Sequence, residues 1–234
     1  MKNLPPLRSI QRFLAGHNPS AFLLAAQFLQ LLLYTLFEGD HGPRALLSGV
    51  GALVLVMVVW VVVRSPGTNW IAWALAVPAF LLSVLSAIFT DPALVAWSAV
   101  LESILYFYAA GSLIAYMLED FTVTTDELFA AGATFTLLAW GFAYAYLVCQ
   151  AWVPDSFVNG GHPGQPLTFI ELLFLSFTNL SATGLGDILP ISAPVRMLAI
   201  LEQFCGVGYV TVVVSRLIGM TLNNLSGKPK GGAR

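Results

Sequence analysis

The sequence predicts an all-α membrane protein: six transmembrane helices, plus one short re-entrant helix that leads into a glycine loop. Three observations predict it. Only 9% of the 234 residues are charged and 58% are hydrophobic, with a mean hydropathy of +0.81, whereas soluble domains carry about 25% charged residues. Six apolar segments, at 20–37, 45–63, 70–90, 93–117, 128–151 and 194–222, have about the 17–25 residues that a spanning helix needs. A seventh, at 167–180, is too short to span and runs straight into Ser-Ala-Thr-Gly-Leu-Gly-Asp-Ile-Leu-Pro at 181–190. Irregular backbone at membrane depth is tolerated only where it is buried in protein or lines water.

The first span follows Lys2, Arg8 and Arg12. Its apolar run, from Ala21 to Phe37, exceeds the roughly 7–15 residues of a signal-peptide core, and no convincing small-residue cleavage site follows, so it is expected to be retained. With the N-terminus inside, the inner side collects Lys2, Arg8, Arg12, Arg64, Arg216, Lys228, Lys230 and Arg234, against Arg44 and Arg196 outside. That bias places both termini in the cytoplasm and the loops at 38–44 and 152–166 outside. Trp70, Trp73 and Trp152 fall near span ends, as interfacial aromatics do.

Between the fourth and fifth spans stand Glu119, Asp120, Asp126 and Glu127, with no basic residue. Thr124 or Thr125 is expected to cap the fifth helix, with Asp126 and Glu127 in its dipole-favoured first turn. A cation- or pH-sensing inner collar is the alternative. The residues after Leu222 number about 12, too few for a nucleotide- or calcium-binding domain, so gating through such a domain is not expected.

Other function classes are disfavoured. A net charge of −2 offers no basic field for nucleic acid. His17, His41 and His162 show no metal-ligand spacing, and no serine–histidine–acid arrangement suggests an enzyme. No lysine lies in a span to hold retinal. Cys149 and Cys205 sit in or near apolar segments and read as small buried hydrophobes rather than a disulfide or metal pair.

The short segment carries the chemistry. Thr168 and Glu171 have the spacing of a capping box, which predicts a helix running to about Leu180. Its C-terminal end points into the membrane and carries partial negative charge. Four such ends converging on one axis favour a cation. Carbonyls of Ala182, Thr183, Gly184, Leu185 and Gly186 are placed to replace its water shell. Stacking carbonyls on one side requires alternating backbone conformations that glycine adopts readily. Asp187 stands at the outer mouth, and Pro190 keeps the stretch from continuing as helix.

From Phe174 to Ile218 the chain resembles the pore domain of tetrameric potassium channels: a short helix, a glycine loop, an acid and a proline, then Gly206 nineteen residues after Asp187, where that family places its hinge glycine. The segment from Asp126 to Val158, with Trp140 and Tyr146, resembles the outer helix of bacterial ion-channel-like membrane proteins. The resemblance covers 126–222 and is only topological over 1–125. It implies a voltage-gated-channel-like topology with a pore helix and selectivity-filter loop, divided as an N-terminal segment 1–19, a peripheral four-helix domain 20–120, a pore domain 121–222 and a tail 223–234. It implies a homotetramer in the membrane lipid of a bacterial inner (plasma) membrane. The implied function is passive conduction of monovalent cations, potassium foremost, with potassium ions at the carbonyls of Thr183, Gly184, Leu185 and Gly186 and no cofactor. Val207, Val210, Val214 and Ile218 form a helical stripe expected below the filter, with packing against lipid or neighbouring helices as the plain alternative. A voltage sensor needs basic residues every third position in its fourth helix, and 93–117 holds neither Lys nor Arg. Steep voltage sensing is therefore not expected.

Two departures from the family pattern Thr-Val-Gly-Tyr-Gly-Asp bear on selectivity. Ala182 stands where a threonine hydroxyl lines the inner entrance, and the side chains of Ser181 and Thr183 are expected to point elsewhere. Leu185 stands where a tyrosine hydroxyl bonds an aromatic of the pore helix, and the matching positions, Phe174 and Leu175, are apolar. Losing both partners of a buried hydrogen bond together is nearly neutral, so the filter is expected to form. The alternatives are a nonselective cation channel, a non-conducting subunit, or a secondary transporter, although only one broken segment is visible and no matching half. Glu202 and Glu102 lie inside apolar spans, where acids are functional candidates. Glu202 either faces the cavity or braces the filter from behind, through Asn179 or Ser181. The brace is the favoured reading. Glu102 has no obvious basic partner.

Overall fold

The computed structural model describes residues 18–37, 57–58, 69–89, 91–119, 124–160 and 164–226. Its elements in chain order are α1 (Pro19–Phe37), α2 (Asn69–Phe89), α3 (Pro92–Met117), α4 (Thr125–Trp152), β1 (Phe157–Asn159), α5 (Phe169–Leu180), β2 (Ile188–Pro190), α6 (Ala193–Tyr209), a π turn at Val210–Val214, and α7 (Ser215–Ser226).

Helix starts follow local chemistry. Asp91 accepts a bond from Ala93 N at 2.9 Å, with Pro92 at the first position of α3. Thr124 and Glu127 form a reciprocal capping box on α4, at 3.3 and 3.2 Å. Thr168 and Glu171 do the same for α5, which ends at Leu180.

α4 is the axle of the molecule. α1 packs along it in a constant register: Ser20 bonds Asp126, Gln27 Nε2 reaches the Ala133 carbonyl, and the Tyr34 ring meets Trp140. Each pair is 106 residues apart (126 − 20, 133 − 27, 140 − 34), so α1 and α4 run parallel. α3 runs antiparallel to α4, with Trp97 against Trp152 at one end and Tyr116 bonded to Asp126 at the other. α2 and α3 are joined by residues 90 and 91 alone and pack on each other, which makes them antiparallel. One buried core runs from Leu23 on α1 through Ala72, Tyr106 and Trp140 to Leu172 on α5 and Ala199 on α6. Cys149 and Cys205 are free and half-buried.

Three of the described helical stretches are long and apolar enough to cross a membrane: Pro92–Met117, Thr125–Trp152 and Ala193–Met220. The sequence predicts six. Two further apolar helices, over Pro19–Tyr34 and Trp70–Leu85, are shorter, and the predicted span at 45–63 lies outside the described residues except for Met57 and Val58. The inner connection at 120–123 is also outside them. The small antiparallel pair β1–β2, with Phe157 opposite Pro190, Val158 opposite Leu189 and Asn159 opposite Ile188, is an element the sequence reading lacks.

The parallel register has a direct test. A cysteine pair at Gln27→Cys and Ala133→Cys is expected to cross-link with a short thiol reagent. The pair Gln27→Cys with Trp140→Cys, one heptad out of register, is expected not to.

Candidate functional site

The site is the stretch 181–187 and the helix ends around it. α5 delivers its last turn to this stretch, and the last-turn carbonyls accept bonds from it. Ser181 N donates to the Phe177 carbonyl at 3.0 Å and Ala182 N to Asn179 at 2.9 Å. The Thr178 carbonyl accepts from Thr183 N at 3.0 Å, Gly184 N at 3.2 Å and the Thr183 hydroxyl at 3.2 Å. Ser181 Oγ donates to Phe177 at 2.7 Å and meets Thr183 Oγ1 at 3.0 Å. Both hydroxyls are thus turned back onto the helix end, as the sequence reading expects.

The backbone alternates. Ala182 has φ +56°, Gly184 +62° and Gly186 +151°, while Thr183 and Leu185 between them are not in the positive-φ region. Successive carbonyls in such an alternation lie on one side of the strand rather than on both, the requirement of a carbonyl-lined path. Two of the three positive positions are glycine, for which this conformation is unstrained. Ala182 takes it with a side chain, at about 1–2 kcal/mol. Residues 181–187 are all exposed in the single chain.

Behind the stretch lies a buried polar knot. Glu202 on α6, fully buried, accepts a bond from Tyr146 OH of α4 at 2.6 Å and another from Ser176 Oγ of α5. Ser176 Oγ also lies 2.8 Å from the Ala139 carbonyl, and Asn179 Nδ2 donates to the Tyr146 hydroxyl oxygen at 3.1 Å. Gln203 Nε2 reaches Asn179 Oδ1 at 3.4 Å. Glu202 is thus enclosed by side chains of α4 and α5, beside the helix that leads into the stretch. Asn179, one of the two partners the sequence suggests, hydrogen-bonds the Glu202 side chain, and Ser181 is engaged elsewhere. The sequence reading missed Tyr146 and Ser176 as its partners. The available signal was that a buried acid demands donors, and these are the polar groups of the facing spans.

Glu102 has hydroxyl partners rather than a basic one: Tyr144 and Ser83 hydrogen-bond its side chain. Around it Tyr106 stacks on Tyr144 at 5.6 Å, and Phe169, the first residue of α5, packs on Tyr144 at 4.6 Å and Trp140 at 5.5 Å.

Phe174 and Leu175 flank the stretch from α5. Leu175 is buried, and a Cβ on Gly186 would lie 3.6 Å from the Phe174 ring. Leu185 is 67% exposed. Gly206 packs against the end of α5: a Cβ there would fall 1.9 Å from the Leu180 carbonyl oxygen. Glycine at 206 is required by this close approach. The helix is regular through 206, and its departure comes later, in the π turn, where Ser215 N bonds the Val210 carbonyl. That turn also corrects the stripe. A straight helix aligns Val207, Val210, Val214 and Ile218, but the extra residue per π turn rotates the register. Val207, Val210 and Ile218 stay exposed, Val214 is half-buried against the core, Val213 is buried and Val212 is exposed.

Residues 132–223 match the model of a family described as "Ion channel". The match runs from the middle of α4 through the knot, the alternating stretch and α6. No curated protein and no solved structure matches the chain.

The Gly206 contact gives a sharp expectation. Gly206→Ala is expected to displace the end of α5 and lower the unfolding midpoint by an amount equivalent to about 1–3 kcal/mol, the usual cost of overpacking. Gly208→Ala, where nothing lies within 4 Å of the new atom, is expected to be near neutral. Thermal unfolding of the purified variants in detergent reads both.

Proposed function

We propose that the chain is a subunit of a passive potassium channel, in which four copies bring residues 182–187 around one axis. The observation that carries this reading is the sign alternation of φ at Ala182, Gly184 and Gly186 at the C-terminal end of a short helix. The ions would be held by carbonyls of Thr183, Gly184, Leu185 and Gly186, with Asp187 at the mouth.

Three further observations support it. Residues 132–223 match an ion-channel family. Of the apolar 18-residue window within Ala193–Met220, 28% is buried, against 50% within Pro92–Met117 and 61% within Thr125–Trp152. An inner helix waiting for its neighbours has that asymmetry, with Met197, Ile200, Leu201, Phe204 and Val207 exposed. Finally, the parallel sense of α1 and α4, with α3 and α2 reversing in turn, makes α1 and α2 parallel. This sense is the one expected of those helices in a six-span chain with both termini in the cytoplasm of a bacterial inner membrane. The helices before α4 carry no row of basic residues, so the channel would not sense voltage steeply.

A second reading, a nonselective cation channel, is favoured by Ala182 and Leu185, which lack the hydroxyls of the family pattern.

Flux from liposomes tests both. Potassium flux well above sodium flux, abolished by Gly184→Ala, is the expected result. Gly184 has open space around it but a φ of +62°, which a side chain resists by about 1–2 kcal/mol per copy. Equal potassium and sodium flux would replace the first reading with the second. Absence of flux at any voltage or pH would sink the channel reading.

A further inference from the structure

The filter stretch is held unevenly. Its inner half, 182–184, is tied to the last turn of α5 by four hydrogen bonds: from Ala182 N, Thr183 N, Gly184 N and the Thr183 hydroxyl. Its outer half has no such bonds to α5. A Cβ on Gly186 would meet the Phe174 ring at an ordinary van der Waals 3.6 Å, and Leu185 offers no hydroxyl. The polar contact made by residues 185–187 comes from the other side, from the segment after α4: Gly160 N donates to the Asp187 carbonyl at 3.0 Å. This bond continues the β1–β2 ladder, which pairs Asn159 with Ile188 and Val158 with Leu189.

The pair is anchored at both ends. Ile188 is buried in the core. Past Pro190, the Ser156 carbonyl accepts from Ile191 N at 2.9 Å and Ser192 N at 3.3 Å. Phe157 of β1 packs edge-on against Tyr146 at 5.8 Å, and Tyr146 is bonded to Glu202 at 2.6 Å. The strand pair is therefore continuous with the buried knot behind the filter.

We propose that the β1–β2 clasp, through the Gly160 N–H to the Asp187 carbonyl, positions the outer half of the filter in place of the missing tyrosine hydroxyl. The proposal rests on the channel reading for its meaning, since it makes Gly160 and the ladder determinants of ion discrimination. A backbone bond suits the task. It holds the Asp187 carbonyl whatever side chain stands at 185, so the apolar Leu185 is accommodated without loss of support.

The test compares Gly160→Pro, which removes the N–H, with Gly160→Ala, which keeps it. Gly160 does not lie in the positive-φ region, and a Cβ there would meet Asp187 Cβ at 3.4 Å, so Gly160→Ala adds no backbone strain, whereas Gly160→Pro sets a ring carbon where the N–H points at the Asp187 carbonyl and breaks the bond outright. A rescue adds Val158→Cys and Leu189→Cys, which are directly opposed at a spacing a disulfide can bridge. Two quantities are measured on the full-length protein in bilayers: amide hydrogen exchange over 182–187, and the potassium-to-sodium permeability ratio. Gly160→Pro is expected to speed exchange at 185–187 about fivefold, the worth of one net hydrogen bond, and to lower the ratio. Gly160→Ala is expected to change neither. Oxidation of the cysteine pair in the Gly160→Pro background is expected to restore both, and reductant to undo the rescue. Unchanged exchange in Gly160→Pro, faster exchange with an unchanged ratio, or a disulfide that restores neither would each overturn the proposal. A wild-type protein without flux would fail the channel reading alone, and the exchange comparison would still decide whether the clasp holds the stretch.

Discussion

A single buried carboxyl joins the three helices that position the glycine stretch. Glu202 stands on α6, and its two oxygens are held by Tyr146 of α4 and Ser176 of α5. A buried polar group left unpaired is costly, about 1–3 kcal/mol for each donor or acceptor, so none of the three helices can slide or rotate alone without leaving one. The close approach of Gly206 to Leu180 adds a steric lock one turn further along α6. Together they set where α5 ends. The end of α5 in turn sets the path of 182–184, through the bonds to the Thr178 and Asn179 carbonyls.

The other end of α5 is set differently. Phe169 is lodged among Tyr34, Trp140 and Tyr144, and Tyr144 bonds the second buried acid, Glu102. A polar knot thus holds one end of the short helix and an aromatic cluster the other. α4 supplies side chains to both, Tyr144 toward α3 and Tyr146 toward α6. Because α1 and α3 pack on the same helix, they share one core with the helices around the glycine stretch. In this arrangement α1 and α3 hold α4 through apolar packing and hydroxyl partners.

Much of this was legible in the sequence wherever the cause is local. The capping boxes at Thr124 and Thr168 need only residues three apart, and the helix they predict for 168–180 ends where the glycine stretch begins. The alternation at 182–186 follows from two glycines spaced by two. What the sequence did not reveal depends on distant partners or on small departures from regularity. Glu202 announces itself as a buried acid, but its partners lie 56 and 26 residues away. The π turn falls in Val-Thr-Val-Val-Val, which carries no glycine or proline to mark it, so a stripe of 3.6-residue period runs straight through Val214 in the sequence. The strands β1 and β2 have three residues each, too short for any periodicity. They exist because a core contact at Ile188 and the Ser156 carbonyl bring two loops together.

The position of α5 depends on the bond between α4 and α6. A double-mutant cycle with Tyr146→Phe and Glu202→Gln, read by chemical unfolding of the purified protein in micelles, measures it directly. The account predicts a coupling of about 1–3 kcal/mol, in the range of a buried hydrogen bond to a carboxyl group. Additivity within about 0.3–0.5 kcal/mol would mean that the two side chains do not bond, and would contradict the claim that this knot holds the end of α5 in place.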